Sequence, residues 1–171
     1  MTAAMSFTNR VSQKLHEEHG ATVALMERLE QIIARYRRSG PPAVADAAVK
    51  QLLTDLVTGV QGEIERHFSF EEDHLFTYLT EMGDEAIGAH LTEEHRAIRP
   101  IGTRIAMLAR DAAAQGFDET KWSEFCRLGQ ELSERLLMHV QKEEMALLPL
   151  LEANMDADTE AHLYREYVEI A

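Results

Sequence analysis

Cysteine is almost absent: Cys126 is the one thiol among 171 residues, so no internal disulfide can hold the fold. Free cysteine is among the most often buried residue types, and Cys126 fits a small apolar core position. Positive charge is also scarce, with 17 Lys and Arg against 30 Asp and Glu, a formal net charge of −13. Nucleic acid and anionic membranes repel a polyanion, so neither is expected as a partner. A surplus of carboxylates suits cation binding wherever they converge. No apolar run approaches the ~18 residues that a membrane span requires. The opening MTAAMSFTNR lacks the charged-then-apolar order of a signal peptide, and the sequence predicts a cytoplasmic protein. Strand-like alternation is missing throughout. The length suits one domain, residues 1–171, with a proper core.

What the chain has instead is helical periodicity. Apolar residues recur at helical spacing from Val11 through Leu15, Val23, Met26, Leu29 and Ile33. Thr8 or Asn9 can cap this first helix, and Ser39-Gly40-Pro41-Pro42 stops it. A second helix follows and runs to Met82-Gly83, with Leu52, Leu53, Leu56, Val60 and Ile64 leading into His67. Asp84 caps a third, which Pro100 should kink by removing a backbone donor. Asp118 opens a fourth through Trp122, Leu132 and His139, and a short amphipathic helix occupies about residues 158–169. Short connections between four long helices predict an all-α, up-down-up-down antiparallel four-helix bundle.

The helices carry an internal repeat. Leu15-His16-Glu17-Glu18-His19 on the first is matched by Leu91-Thr92-Glu93-Glu94-His95 on the third. HFSFEEDHLF, from His67, is matched by HVQKEEMALLPLL, from His139. Each half, about 8–82 and 84–155, is a helical hairpin of the same pattern: a duplication, not a solenoid. In both halves a glutamate, Glu71 or Glu143, stands four residues after the histidine, about one turn along the same face. Leu15 and Met26 lie within roughly 40° of His19, and Leu56 and Val60 within roughly 40° of His67, so these histidines sit on the stripe that must be buried. Buried histidines and glutamates are costly unless satisfied, and shared metal coordination satisfies His19, His67, Glu71, His95, His139 and Glu143 together. Mixed nitrogen and oxygen donors suit iron, manganese or zinc, and two carboxylates able to bridge suit a dinuclear site.

At these residues the chain resembles the hemerythrin-like family, the HHE cation-binding domains, from about Leu15 to Leu151. The resemblance implies His19, His67, His95 and His139 as terminal ligands and Glu71 and Glu143 as bridges between two iron ions. An oxo or hydroxo bridge would complete the pair, with manganese or zinc ranked below iron. It further implies a protein that binds or reacts with oxygen, nitric oxide or peroxide in sensing or stress defence. The alternative is an iron-sensing or iron-handling module whose metal occupancy a partner reads. Whether such a protein is an enzyme, and whether it is a monomer or a homo-oligomer, stays open. Oxygen carriers of the family have a second histidine where this chain has Leu91, and an aspartate five residues after the fourth-helix histidine, where it has Glu144. Reversible oxygen carriage therefore ranks lower.

The two halves also differ. His74, three residues beyond Glu71 and matched by Ala146, should face the core. It can be a fifth histidine ligand, a group holding Glu71, or a core histidine bonded to a carbonyl. His16 is matched by Thr92 and shares a side of its helix with His19, while His90 and His162 read as surface groups. Glu18, Glu72, Glu94 and Glu144 read as solvated carboxylates or as acceptors behind the ligands. Glu63 is matched by Arg135, and the two can pair beside the site. Gly88, Gly102 and Ala106 leave room on the His95 face, either for a small-molecule channel or for close helix approach.

Overall fold

The computed structural model describes residues 6–169, apart from the side chain of Glu63; the Glu63–Arg135 pairing lies outside those described residues, and Arg135 bonds Glu131 at 3.1 Å. Among the described residues there is no strand. Five continuous helices are present: α1 (Arg10–Tyr36), α2 (Ala47–Glu81), α3 (Glu85–Gln115), α4 (Glu119–Asn154) and α5 (Ala157–Glu169). Side chains at their starts explain several boundaries. Asn9 accepts from the backbone N–H groups of Val11 and Ser12, Asp46 from those of Ala48 and Val49, and Asp118 from that of Lys121. Such acceptors satisfy N–H groups that a helix cannot pair itself. Asp84, the expected cap of α3, makes no side-chain bond to that helix. Gly83 and Gly116, at φ 88° and 77°, supply the left-handed backbone that turns the chain into α3 and α4. Pro100 lies inside α3, and the helix continues on both sides of it.

Helix α1 packs against α2 and α4, and α3 against α2 and α4, so the four long helices close a ring. Its core is split in two. One apolar cluster gathers Leu25, Leu29, Leu56, Ile98, Phe125 and Leu136; the other gathers Leu15, Phe70, Leu75, Leu91, Leu147 and Tyr167. Fully burying each such side chain contributes about 1.5–3 kcal/mol. Along α1, α3 and α4 the chain changes cluster where a predicted ligand stands, and along α2 it does so between Phe68 and Phe70, which His67 and Glu71 flank. His19 falls between Leu15 and Leu25, His95 between Leu91 and Ile98, and His139 and Glu143 between Leu136 and Leu147. The polar residues thus form one layer between two apolar ones. Helix α5 covers the second cluster with Leu163 and Tyr167, and Arg10 anchors it through Glu160 at 2.6 Å.

Two of the long helices are not α-helical throughout. Helix α2 widens into π turns at Gly59–Ile64 and Glu71–Leu75, and α4 does so at Glu143–Leu147. A π turn closes its hydrogen bonds over five residues instead of four and commonly marks a functional site. The last two stand at matched positions of the two halves, each beginning at a predicted bridging glutamate. Pro149 comes just past the α4 turn, at the start of the restored α-helix, where its missing N–H is tolerated.

Candidate metal centre

The layer between the clusters brings together all six residues that the repeat singles out. His19, His67, His95 and His139 are 4%, 6%, 0% and 2% exposed, and Glu71 and Glu143 are wholly buried. Their donor atoms fall into two overlapping groups, Glu71 with His95, His139 and Glu143, and His19 with His67 and Glu143. In each group the donors lie within 4.8 Å of one another. Glu143 belongs to both. Its Oε2 is 2.7 Å from His19 Nε2 and 3.5 Å from His67 Nε2, and its Oε1 is 2.7 Å from His139 Nε2. Glu71 also spans the halves, its Oε1 lying 3.3 Å from His67 Nε2 and 3.4 Å from His95 Nε2.

Two observations test whether a cation fits. Both oxygens of Glu71 and Oε1 of Glu143 are buried without a hydrogen-bond partner, although imidazole nitrogens stand close by. Nearness without alignment is what donor atoms aimed at a common point produce, and an unpaired buried carboxylate is otherwise costly. The second is electrostatic. Burial alone would lower a histidine's pKa, but Glu143 and Glu144 outweigh it at His19, raising it to about 9. Against the same desolvation, Glu143 and Glu71 raise His95 to about 9. His67 is raised well above, and His139 above, the usual histidine value by the same carboxylates. Burial would raise Glu143, yet the surrounding histidines hold it well below the usual carboxylate range. Two buried carboxylates draw positive charge into this layer, as protons or as metal. The residues present fit a metal pair.

The outward nitrogen of each histidine faces a second carboxylate, always from another helix. Glu144 meets His19 Nδ1 at 2.6 Å, Glu18 meets His67 Nδ1 at 3.1 Å, and Glu94 meets His139 Nδ1 at 2.9 Å. His95 Nδ1 is 3.4 Å from Glu72 and makes no hydrogen bond. The bonds from His19, His67 and His139 fix those rings and direct Nε2 inward. Each carboxylate is held in turn by a basic group: Glu18 by Arg66 at 3.3 Å, Glu72 by Arg99 at 2.6 Å, Glu94 by Lys142, and Glu144 by His16 at 2.8 Å. His16 is therefore a support behind His19, with its side chain half exposed. The sequence signal for this outer layer is the doubled acid in every motif, which weighs Glu18, Glu72, Glu94 and Glu144 as acceptors without pairing them to histidines.

His74 departs from expectation. Its side chain is half-buried beside Phe70 (ring centroids 5.8 Å apart) and lines a groove with Asp158 and His162 of α5. It belongs to neither donor group. The π turn that starts at Glu71 is the reason: the added residue turns position 74 outward and gives the core place to Leu75. The same turn leaves Ala146 exposed and Leu147 buried in the other half. Gly88 and Gly102 resolve toward close approach, since an added Cβ would stand 3.0 Å from Phe76 Cβ and 2.9 Å from Val60 Cγ1 respectively. Sequence reasoning missed Phe68, whose ring stacks on His95 at 3.8 Å between centroids and meets His139 edge-on at 5.4 Å.

A cavity of about 200 Å³ between α1 and α2, with Leu136, His139 and Val140 of α4 behind it, leads from Lys14 and Arg66 down to His19, His67 and His139. The cavity is lined by both histidines of the three-donor group and by His139 of the four-donor group.

The fold and the layer define a class: an all-helical protein with a buried histidine and glutamate centre able to hold metal. A family model described as Hemerythrin HHE cation binding domain matches residues 10–151 and, separately, 89–170. The chain belongs to that family. The second match is confined to the later hairpin and α5, in keeping with the internal repeat. No curated protein matches the chain.

Proposed function

We propose that this is a non-haem di-iron protein that binds or reacts with a small molecule, oxygen, nitric oxide or peroxide, in sensing or stress defence in the cytoplasm. The observation that carries the reading is the sharing of Glu143 by two donor groups, with Glu71 reaching one histidine of each half. The reading includes a single domain of two hairpins, residues 8–82 and 84–155, in up-down-up-down antiparallel order. Iron would supply a redox-active ion with a coordination position left open for the small molecule. The chain's own residues do the rest. His95, His139, Glu71 and Glu143 would hold one ion with four donors, and His19, His67 and Glu143 would hold the other with three, their two histidines lining the cavity. Glu18, Glu94 and Glu144 keep their imidazoles turned inward, and Phe68 covers the ring of His95.

Metal analysis with optical spectra of the aerobic and reduced protein tests this. Two irons per chain, with visible bands that change on adding oxygen, azide or nitric oxide, are expected. One zinc per chain and no visible bands would overturn it.

One observation favours a second reading, an iron-handling module whose occupancy is read by a partner. His67 bonds Glu18, Glu18 bonds Arg66, and Arg66 lies 5.6 Å over the ring of Tyr167 on α5. On that reading metal removal loosens α5, and hydrogen exchange of α5 should rise in chelator; unchanged exchange would exclude it.

A further inference from the structure

Beside the metal layer lies a second cavity, of about 330 Å³, between α2 and α3 with α4 behind it. Its inner walls are apolar, formed by Val60, Ile64, Phe68, Ile98, Leu132 and Leu136. Its rim is not: Arg99 bonds both oxygens of Glu65 there, at 3.0 and 3.1 Å, while its other nitrogens grip Glu72. Three of the wall residues, Ile64, Phe68 and Leu136, also line the cavity that opens on His19 and His67. Phe68 lies flat on His95, so one ring forms both the floor of this chamber and the roof of the metal layer.

Two local features border the space: Gly102, which lets Val60 pack 2.9 Å from where a Cβ would stand, and the π turn of α2 at Gly59–Ile64, whose Val60 and Ile64 line the chamber together with Gly102. That turn has no counterpart in the second half, where the matching residues 131–136 are ordinary α-helix. The chamber is therefore an addition to the duplicated frame. An apolar protein cavity of roughly 150 Å³ lined by Leu, Ile and Phe stays dry and takes up benzene or xenon. This one is larger and opens outward past Gln61, Glu65, Arg99 and Thr103, all at least partly exposed, while the buried residues behind them are apolar.

We infer that this chamber is a binding site for a small, uncharged, apolar molecule, held next to the metal centre with Phe68 between them and the Glu65–Arg99 ion pair across the outer opening. A charged or strongly hydrated molecule would lose its water against Ile98, Leu132 and Phe68 and gain nothing in return. Binding here needs only the cavity. The proposed iron chemistry is a separate matter, and metal content measured on the same samples keeps the two apart.

Xenon is the probe. Dissolved xenon titrated against the protein, followed by ¹²⁹Xe chemical shift, should saturate one site, with and without bound metal. Crystals pressurised with xenon should place it among Val60, Ile98, Gly102 and Leu132. Leu132→Phe and Gly102→Leu, which fill the space from opposite sides, should each weaken uptake at least tenfold at unchanged helical content. Should Gly102→Leu fail to fold because its side chain meets Val60, Leu132→Phe carries the test. Ordered water in place of xenon, xenon bound elsewhere, or undiminished uptake by folded Leu132→Phe protein would overturn the inference.

Discussion

Glu144 is the sharpest place to test the outer carboxylates. It accepts from His19 Nδ1 at 2.6 Å and takes no part in either donor group. Removing a carboxylate behind a metal-bound histidine typically costs 10–100-fold in metal affinity, about 1.4–2.7 kcal/mol. Glu144→Ala removes both charge and acceptor and should fall near the upper end. Glu144→Gln keeps an acceptor for Nδ1–H and should fall near the lower end. The other partner, His16, is half exposed and gains water in exchange, so its loss adds little. Under saturating metal the lost affinity appears as lost stability. For a chain of this size each kcal/mol moves Tm by about 2–4 °C, so the metal-loaded Ala variant should melt roughly 5–11 °C early. Competition with a chromophoric chelator gives the affinity, and melts with and without metal give the stability. Refutation would be an Ala variant that binds as tightly as the parent, or an equal loss in the metal-free protein, which would make Glu144 a packing residue only.

His139→Ala, which removes a donor from the heart of the layer, should lose metal and destabilise the fold, whereas His74→Ala should keep full metal content; metal loss from His74→Ala would place that residue back at the centre. The metal-free protein should be most stable from about pH 5 to 7. His19 and His95 are raised from 6.5 to about 9, so their contribution is full below about 6.5 and is lost as pH rises through about 9. Glu143 is depressed from 4.5, so its contribution is present above 4.5 and is lost as pH falls through its lower folded value. Melts in chelator from pH 4 to 10 check this, and stability that climbs between pH 7 and 10 would contradict it. Metal uptake near pH 7 must displace the same protons, so calorimetric titrations in buffers of differing ionisation enthalpy should show net proton release.

Much of this was legible because the chain says it twice. One histidine on an apolar face carries little information, but His19 with His95 and His67 with His139, each with its glutamate in step, single out the whole donor set. Helix caps at Asn9 and Asp118 follow from local chemistry for the same reason: the acceptor and the N–H groups it serves are neighbours in sequence. What failed was local phase. A constant 100° per residue carries Glu71 correctly but sends His74 inward, because nothing in EEDHL announces a π turn; the turn is stabilised by Leu75 reaching a core formed by other helices. Phe68 was invisible as a site residue because its role depends on His95, 27 positions away. The pairing of Glu18 with His67 and of Glu94 with His139 likewise crosses between helices, which spacing along one helix cannot express.

The π turns at Glu71 and Glu143 have a consequence for how sequences of this kind tolerate change. Each lies close to where its helix passes from one core to the other: on α2, Leu56, Ile64 and Phe68 belong to the first, and Phe70, Leu75 and Leu79 to the second. Deleting one residue at 72–74 would restore an ordinary helix and move Leu75 to position 74, the place that a constant turn of about 100° per residue points inward, so Leu75, Phe76 and Leu79 would keep their apolar face. The deletion would cost the widened backbone at Glu71 and leave the apolar cover in place. Length in this bundle can therefore change inside a helix as well as in the loop at Ser39–Ala45, which an alignment penalising gaps within helices would not assume.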